Sequence, residues 1–332
     1  MTTLLTFLAA TCALTAHGSP TPIGTAFDWD VSPAPWILKN LANAGRGDGL
    51  RIFWWNVHDG RTDSKIPDFT LSKNVVKLVH SEFAPDVLAF AEYQESDLSA
   101  DDLTEVRRLY PFQLQQPYPG TPGFGLAVYS RYPFQISSID VLDFTPLTDM
   151  SDVDREQYRK LWCGTSGICG RPMVILQLNV NGKNLKLVPI HLYDCWRKLK
   201  ENIGIIRTAE QVFFGTHNPL WFQINRFRSM LEARLGNELT RGNVVVIGDF
   251  NMPKEILGVT TRGYRKISWG LTDAVPGDSP TIPSRNSPEA RHFPSMAIDH
   301  AFVSPSIEVQ EGDVLPLRGS DHYPVYVVVS TP

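Results

Sequence analysis

Between Leu50 and Val329 the chain returns repeatedly to short runs of β-branched, aliphatic and aromatic residues, each about as long as one strand. They are Leu50 to Val57, Val87 to Ala91, Phe124 to Ser130, Met173 to Val180, Leu185 to His191, Val244 to Ile247, Ala297 to Val303 and Val325 to Val329. Apolar runs this short read as strands. Helical patterns fall between them, at Thr70 to Phe83 with Ser72 as a cap option, at Ser99 to Arg108 with Ser99 and Asp102 near its start, and at Phe222 to Leu239. Many strands follow one another with no helix between. That order predicts an α/β fold of mixed, largely antiparallel sheets with outer helices rather than a doubly wound parallel sheet. No linker, repeat or low-complexity tract interrupts residues 50–330, which read as a single domain.

Composition sets the bounds on function. The 332 residues hold 31 Lys and Arg against 35 Asp and Glu, a net charge of −4, with 42% apolar and 20% charged residues. This is an ordinary globular balance, and it excludes collagen-like, disordered and coiled-coil chains. A slightly acidic chain also lacks the global positive field of an obligate nucleic-acid binder, so any such role needs a local basic face. Residues 193–241, with eight Lys or Arg against five acids, supply the best candidate through Arg197, Lys198 and Lys200; a solvated helix surface accounts for the same charges equally well. Residues 140–160 lean the other way, with six acids against three bases.

The first sixteen residues carry no Lys, Arg, Asp or Glu and contain an apolar run from Leu4 to Leu14, followed by Ala16-His17-Gly18. The pattern predicts a signal peptide over residues 1–18 and a secreted or periplasmic mature protein, expected to be monomeric and without a stable membrane anchor; a buried N-terminal helix is the competing reading. Residues 19–49, with Pro20, Pro22, Pro33 and Pro35, read as an irregular lead-in. Loss of Cys12 with the signal leaves Cys163, Cys169 and Cys195, an odd set that allows one disulfide at most. Cys163 and Cys169 bracket a flexible five-residue segment that could close in an oxidising compartment, whereas three reduced core cysteines fit a protein that stays inside. Zinc-ligand spacing is absent.

The chemistry sits at the ends of the apolar runs. Asn56 follows Arg-Ile-Phe-Trp-Trp, Glu92 follows Val-Leu-Ala-Phe-Ala, His191 closes Leu-Lys-Leu-Val-Pro-Ile, and Asp249 and Asn251 follow Val-Val-Val-Ile-Gly. Asp299-His300 and Asp321-His322 mark the last two runs. Polar groups at the ends of buried strands converge on one rim, where a site can be built. Hard oxygen ligands such as Asn56, Glu92 and Asp249 suit Mg²⁺, Mn²⁺ or Ca²⁺, and histidines suit proton transfer near neutral pH. Phosphoester hydrolysis uses both. Taken singly, a strand-end Asp is a common turn former and a buried His a common core residue.

In order along the chain stand Trp55-Asn56-Val57, Asp86-Val87 through Glu92, Gly125 through Ser130-Arg131-Tyr132-Pro133, Ile190-His191-Leu192, Gly248-Asp249-Phe250-Asn251 and Ser320-Asp321-His322-Tyr323-Pro324. Together they closely resemble the endonuclease/exonuclease/phosphatase superfamily of DNase I-like enzymes over roughly residues 50–329. The resemblance implies a four-layer α/β sandwich, two packed mixed β-sheets flanked by helices. It implies that Asn56 and Glu92 bind the divalent metal, with Asp321 beside it or orienting the site. Asp249 and Asn251 would hold the attacking water and the phosphate, His322 would be the general base with its tautomer fixed by Asp299, and His191 would donate to the phosphoryl or leaving oxygen. Arg171-Pro172 resembles the family's Arg-x-Pro region loosely and suggests a substrate contact at Arg171.

Departures from the family pattern leave the substrate open. Ala91 stands where the family usually has Gln, and Gln94-Glu95 follows closely enough to compete with Glu92, which is favoured because it lies six residues after Asp86. A Trp-Cys-Asp-Arg element at Ile298-Asp299 is missing, against the inositol polyphosphate phosphatase branch, and so is the Tyr-x-Pro-Asn element of apurinic-site endonucleases. The 58 residues from His191 to Asp249 (249 − 191) read as an expanded insertion. Three functions compete: an exported metal-dependent phosphodiesterase acting on nucleic acid, the same chemistry on a phospholipid such as sphingomyelin, and a binding protein that has lost catalysis. The second wants an exposed aromatic hairpin, for which Trp196 and Pro219-Leu220-Trp221-Phe222 are the candidates, more readily explained as core packing. The third should lack a member of the catalytic set, and none is missing.

Overall fold

A computed structural model describes residues 49–57, 70–81, 84–143, 170–194, 219–256, 258–275, 279–282 and 295–330. The expected signal peptide, the lead-in up to residue 48, all four cysteines, Trp196, and Arg197, Lys198 and Lys200 lie outside the described residues.

In chain order the strands are β1 (Leu50–Asn56), β2 (Val87–Tyr93), β3 (Phe112–Tyr118), β4 (Thr121–Ser130), β5 (Phe134–Leu142), β6 (Arg171–Val180), β7 (Lys183–His191), β8 (Val244–Asp249), β9 (Glu255–Ile256), β10 (Val259–Thr260), β11 (Thr272–Asp273), β12 (Asp299–Val303), β13 (Val309–Val314) and β14 (Val325–Val329). The helices are α1 (Thr70–Val79), α2 (Ala100–Leu109), α3 (Pro219–Leu235), α4 (Glu238–Arg241) and α5 (Arg262–Ser268). Two six-stranded sheets form, in the orders β13-β14-β1-β2-β4-β3 and β11-β12-β8-β7-β6-β5, beside a two-stranded β9-β10 pair. β1 runs parallel to β2 and β7 to β8, and the other sheet pairings are antiparallel.

Alternation along the strands builds the layers. Ile52 and Trp54 of β1 face inward and meet Val87, Ala89, Val174, Leu176, Leu187, Val245 and Ile247 between the sheets. Their neighbours Phe53 and Trp55 face outward, under Leu71, Val75 and Leu78 of α1 and Leu103 and Val106 of α2. On the other outer face, Ile224, Phe227 and Leu231 of α3 and Ile267 of α5 cover Ile190, Val246 and Phe302. Burying each such side chain contributes about 1.5–3 kcal/mol, enough to fix the register, because a one-residue slip would turn every one of them to the wrong layer. The result is the expected four-layer sandwich of two packed mixed sheets with helices outside.

Local differences from the sequence pattern have physical reasons. Ser72 lies inside α1 rather than capping it: its hydroxyl donates to Asp102 and accepts from the Ser99 N–H, tying α1 to α2. Ser99 caps α2 as expected by accepting from the Asp102 N–H. The helix expected from Phe222 begins earlier, at Pro219, a residue favoured in a first helical turn because it has no N–H to leave unpaired. It ends at Leu235, and Gly236 with φ +49 makes the break before α4.

Candidate active site

The topology gathers the strand-end residues. The parallel pairs β1–β2 and β7–β8 send their carboxyl ends to one rim, and their antiparallel neighbours β14, β12 and β6 bring their amino ends there. Asn56, Glu92, His191 and Asp249 therefore leave the sheets where Asp299, Arg171 and the Ser320–His322 turn approach them. In the second sheet Asp249 is paired in register with both His191 and Asp299.

Several side-chain contacts join the two sheets at this rim. Trp54 Nε1 donates to Asp299 Oδ1 at 2.9 Å, His322 Nδ1 lies 2.8 Å from Asp299 Oδ2, and Asn56 Nδ2 donates to Asp249 Oδ2 at 2.9 Å. The carboxylate of Asp299 is thus engaged at both oxygens. Its backbone N–H and that of Ile298 are fixed by the Thr281 hydroxyl. The carboxylate holds the His322 proton on Nδ1, which leaves Nε2 facing Asp249 Oδ2 at 3.9 Å. Ser320 completes the turn: its hydroxyl donates to the Asn56 carbonyl and accepts from the His322 N–H. Asp321, buried beside it, has Oδ1 3.2 Å from the same hydroxyl oxygen.

Charge and burial set the protonation of this group. Burial alone would push the His322 pKa down, but the carboxylates of Asp299, Asp321 and Asp249 outweigh it and hold it well above the ordinary imidazole value. Burial, followed by repulsion from Asp299, raises Asp249 well above the usual carboxylate range. The cluster therefore retains a proton that a bound cation would help to displace.

His191 has a different partner. Its Nδ1 lies 2.6 Å from the hydroxyl of Tyr118, at the end of β3, and that hydroxyl also accepts the Glu92 N–H at 2.9 Å. Burial holds the phenol above its usual pKa, so Tyr118 keeps its proton; with the hydroxyl already accepting the Glu92 N–H and Nε2 facing two carboxylates, that proton goes to Nδ1. The imidazole proton is thereby placed on Nε2, which lies 3.5 Å from Glu92 Oε1 and 3.7 Å from Asp249 Oδ2. The guanidinium of Arg171 sits 4.2 Å from the centre of the Tyr118 ring, and its Nε is buried with no hydrogen-bond partner among the described residues. An anionic oxygen would satisfy a donor of that kind.

The donor chemistry fits a hard divalent cation. Glu92 and Asp249 offer carboxylates and Asn56 an amide oxygen, with Glu92 Oε1 3.5 Å from Asn56 Nδ2 and the Glu92 side chain 22% exposed, so this edge is open to solvent. Asp249, Asp299 and His322 also place one possible ligand atom each within 4.8 Å of one another. Because both Asp299 oxygens and His322 Nδ1 are already committed to each other and to Trp54, Asn56 and Glu92 at the open edge are the better ligands, with Asp249 beside them. Asn251 anchors the far side, its N–H donating to Asp249 Oδ1 and its Nδ2 to the Leu192 carbonyl.

The described residues proposed from sequence, Asn56, Glu92, Arg171, His191, Asp249, Asn251, Asp299, Asp321 and His322, all reach this rim. Glu95, the competitor of Glu92, instead pairs with Arg107 on the exposed face of α2. His300 points away from Asp299 into Phe250, Tyr264 and Phe302, with Nε2 2.9 Å from the Met252 carbonyl, and burial lowers its pKa. Tyr118, Thr281 and Trp54 are the participants the sequence reading missed. Tyr118 lies in Pro-Tyr-Pro-Gly, which reads as a turn, and gives no signal of a catalytic contact.

The profile of the Endonuclease/Exonuclease/phosphatase family matches residues 53–322. No curated protein matches the chain in sequence. Among solved structures, an endonuclease/exonuclease/phosphatase from Beutenbergia cavernae is 20% identical with a TM-score of 0.54, covering 85% of this chain and 71% of its own. TDP2 of D. rerio, solved with a single-strand DNA product, is 16% identical with a TM-score of 0.53, covering 86% of this chain and 100% of its own. An endonuclease/exonuclease/phosphatase from Bacteroides vulgatus is 14% identical with a TM-score of 0.54, covering 86% and 100%.

Proposed function

The chain belongs to the Endonuclease/Exonuclease/phosphatase family, and from that premise we propose that it is an exported, divalent-cation-dependent phosphodiesterase that cleaves nucleic acid. The observation that carries the reading is the pair of oriented imidazoles across one rim, His322 held by Asp299 and His191 held by Tyr118, with Asp249 between them. Asn56 and Glu92 would hold the cation, with Asp321 close by. When bound, Mg²⁺ or Mn²⁺ neutralises charge on the phosphoryl oxygens.

The chain's own groups then divide the proton work. Asp249 and Asn251 hold the attacking water, and neutral His322 takes a proton from it at Nε2 as the new P–O bond forms. His191 presents Nε2–H to the phosphoryl or leaving oxygen as the old bond breaks. Arg171 offers its unmet N–H to a non-bridging oxygen.

Two features favour nucleic acid over phospholipid. A structural neighbour with the same fold was solved with a DNA product. Pro219-Leu220-Trp221-Phe222 is the first turn of α3 with Pro219 and Leu220 buried, so it offers no protruding aromatic hairpin. The uncharged leader over residues 1–18 supports export. The test is hydrolysis of DNA against sphingomyelin liposomes with Mg²⁺. DNA cleavage that EDTA abolishes and Mg²⁺ or Mn²⁺ restores is expected. Full activity in excess EDTA would overturn the metal dependence, and cleavage of liposomes alone would replace the substrate.

A further inference from the structure

The seven residues of α5 divide sharply into two faces. Gly263, Tyr264 and Ile267 are buried against the second sheet, whereas Arg262, Arg265, Lys266 and, just past the helix, Trp269 are exposed. Positions separated by three, four and seven residues share one side of a helix, so three cations and an indole form a single stripe. Trp269 is 74% exposed, an unusual state for the largest apolar side chain. Arg262 packs its guanidinium 4.8 Å from the ring centre of Trp221 on α3. Among the described residues none of the three cations pairs with a carboxylate. With Trp221 and Asn225 they line a groove of about 460 Å³ between α3 and α5.

Both walls of this groove hang from the catalytic rim. α3 is tied to it by Gln223, which accepts the N–H of Tyr193, two residues beyond His191. α5 is tied by Thr261, whose hydroxyl donates to the carbonyl of Pro253, two residues beyond Asn251. Gly263 sits so close to Met252 that an added Cβ would lie 2.6 Å from its methyl group. A polymer whose scissile phosphate lies at the rim would run its flank along elements fastened there, and α3 and α5 are two of them.

We propose that the α3–α5 groove binds the flank of a single-stranded nucleic-acid substrate, with bases stacking on Trp269 and backbone phosphates meeting Arg262, Arg265 and Lys266. Cations with no carboxylate partner among the described residues, beside an open aromatic face, are the two components that hold single strands without regard to sequence. Stacking needs unpaired bases, which selects single strands over duplex. A membrane surface fits less well, because Trp221 is covered by the Arg262 guanidinium and Trp269 stands among three cations, which leaves no apolar wedge to insert. The inference rests on the nucleic-acid reading for its substrate but requires nothing of the catalytic step.

The test uses the full chain, a fluorescein-labelled phosphorothioate oligothymidylate of about 20 nucleotides, and a chromogenic small phosphodiester. Trp269→Ala should weaken binding on the order of tenfold, with Trp269→Phe restoring most of it, because a ring and not an indole is needed. The combined Arg262→Gln, Arg265→Gln, Lys266→Gln variant should flatten the slope of log affinity against log salt by about 2. Circular dichroism reports whether each variant folds, and turnover of the small diester reads the catalytic centre separately. Unchanged oligonucleotide affinity and salt slope in folded variants would overturn the groove while leaving the phosphodiesterase intact. Loss of binding in the variants with no diester turnover by the wild type would uphold the groove and overturn the enzymatic reading. Trp269-dependent binding to anionic vesicles and none to the oligonucleotide would assign the surface to membranes and overturn the proposal.

Discussion

Replacing Tyr118 by Phe removes one hydroxyl and leaves the ring in place against Phe124 and beneath Arg171. The His191 imidazole then loses the donor at Nδ1 that keeps its proton on Nε2, and the Glu92 N–H loses its acceptor. Groups that orient an active imidazole in this way are worth about 10–100-fold. Tyr118→Phe should therefore lower kcat by that range with little change in thermal stability, and unchanged kcat would show that His191 needs no such anchor. The second residue-scale prediction concerns His322, which accepts a proton only when neutral. Its folded pKa is raised above the ordinary ~6.5, so in chelator its NMR titration should fall above that value, and the rate should fall as pH drops. Asp299→Asn removes the strongest of the carboxylates that raise it, and should move the titration to lower pH. Because bound cation and that proton repel, Mg²⁺ affinity should rise with pH and calorimetry in two buffers should detect proton release.

At the scale of elements, the parallel β7–β8 pair is the most tightly constrained part of the rim. A Cβ added at Gly248 would lie 2.0 Å from the Ile190 carbonyl oxygen, one register step before His191 meets Asp249. Gly248→Ala should destabilise the protein by about 1–3 kcal/mol and also slow the proposed hydrolysis, as strands pushed apart there separate His191 from Asp249. Gly263→Ala, which meets only Met252 side-chain atoms able to shift, should cost less. Chemical denaturation of the two variants decides the order. The same contrast between buried and open elements governs what the sequence disclosed. β1, β2, β7, β8 and β14 are buried on both faces, so they appear as unbroken apolar runs with their polar site residues at the ends. β3, β5 and β13 escaped notice because Phe-Gln-Leu-Gln-Gln-Pro-Tyr, Phe-Gln-Ile-Ser-Ser-Ile-Asp-Val-Leu and Val-Gln-Glu-Gly-Asp-Val belong to half-exposed strands near the sheet edges, where polar residues interrupt the run. Tyr118 was lost with β3. The Arg262–Trp269 stripe was lost because a helix of seven residues is too short for its period to stand out.

For the molecule as a whole, the rim is where two sheets with separate outer cores are fastened together. Asn56 and Glu92 come together only where β1 pairs with β2, and Asp249 of the second sheet holds Asn56 in place, so a cation held there would bind only in the folded state. Mg²⁺ at about 100 times its Kd should then add about 2.7 kcal/mol of stability, a shift of several degrees in Tm. Glu92→Gln should abolish most of that shift, and a Tm insensitive to Mg²⁺ in the wild type would remove the cation from this position. The backbone records a further tension at the same place. Among the described residues, the non-glycine positions with left-handed φ are Asn181, in the tight Asn-Gly turn between β6 and β7, and the two site residues Glu92 at +52° and Asn251 at +50°. Such a conformation is disfavoured by roughly 1–2 kcal/mol for a residue with a Cβ, and glycine would relieve it. A laboratory selection for heat tolerance alone would therefore reward Glu92→Gly, whereas Asn251→Gly would give up the bond to the Leu192 carbonyl, and the fittest survivors would be sturdy proteins stripped of the carboxylate proposed to hold the cation.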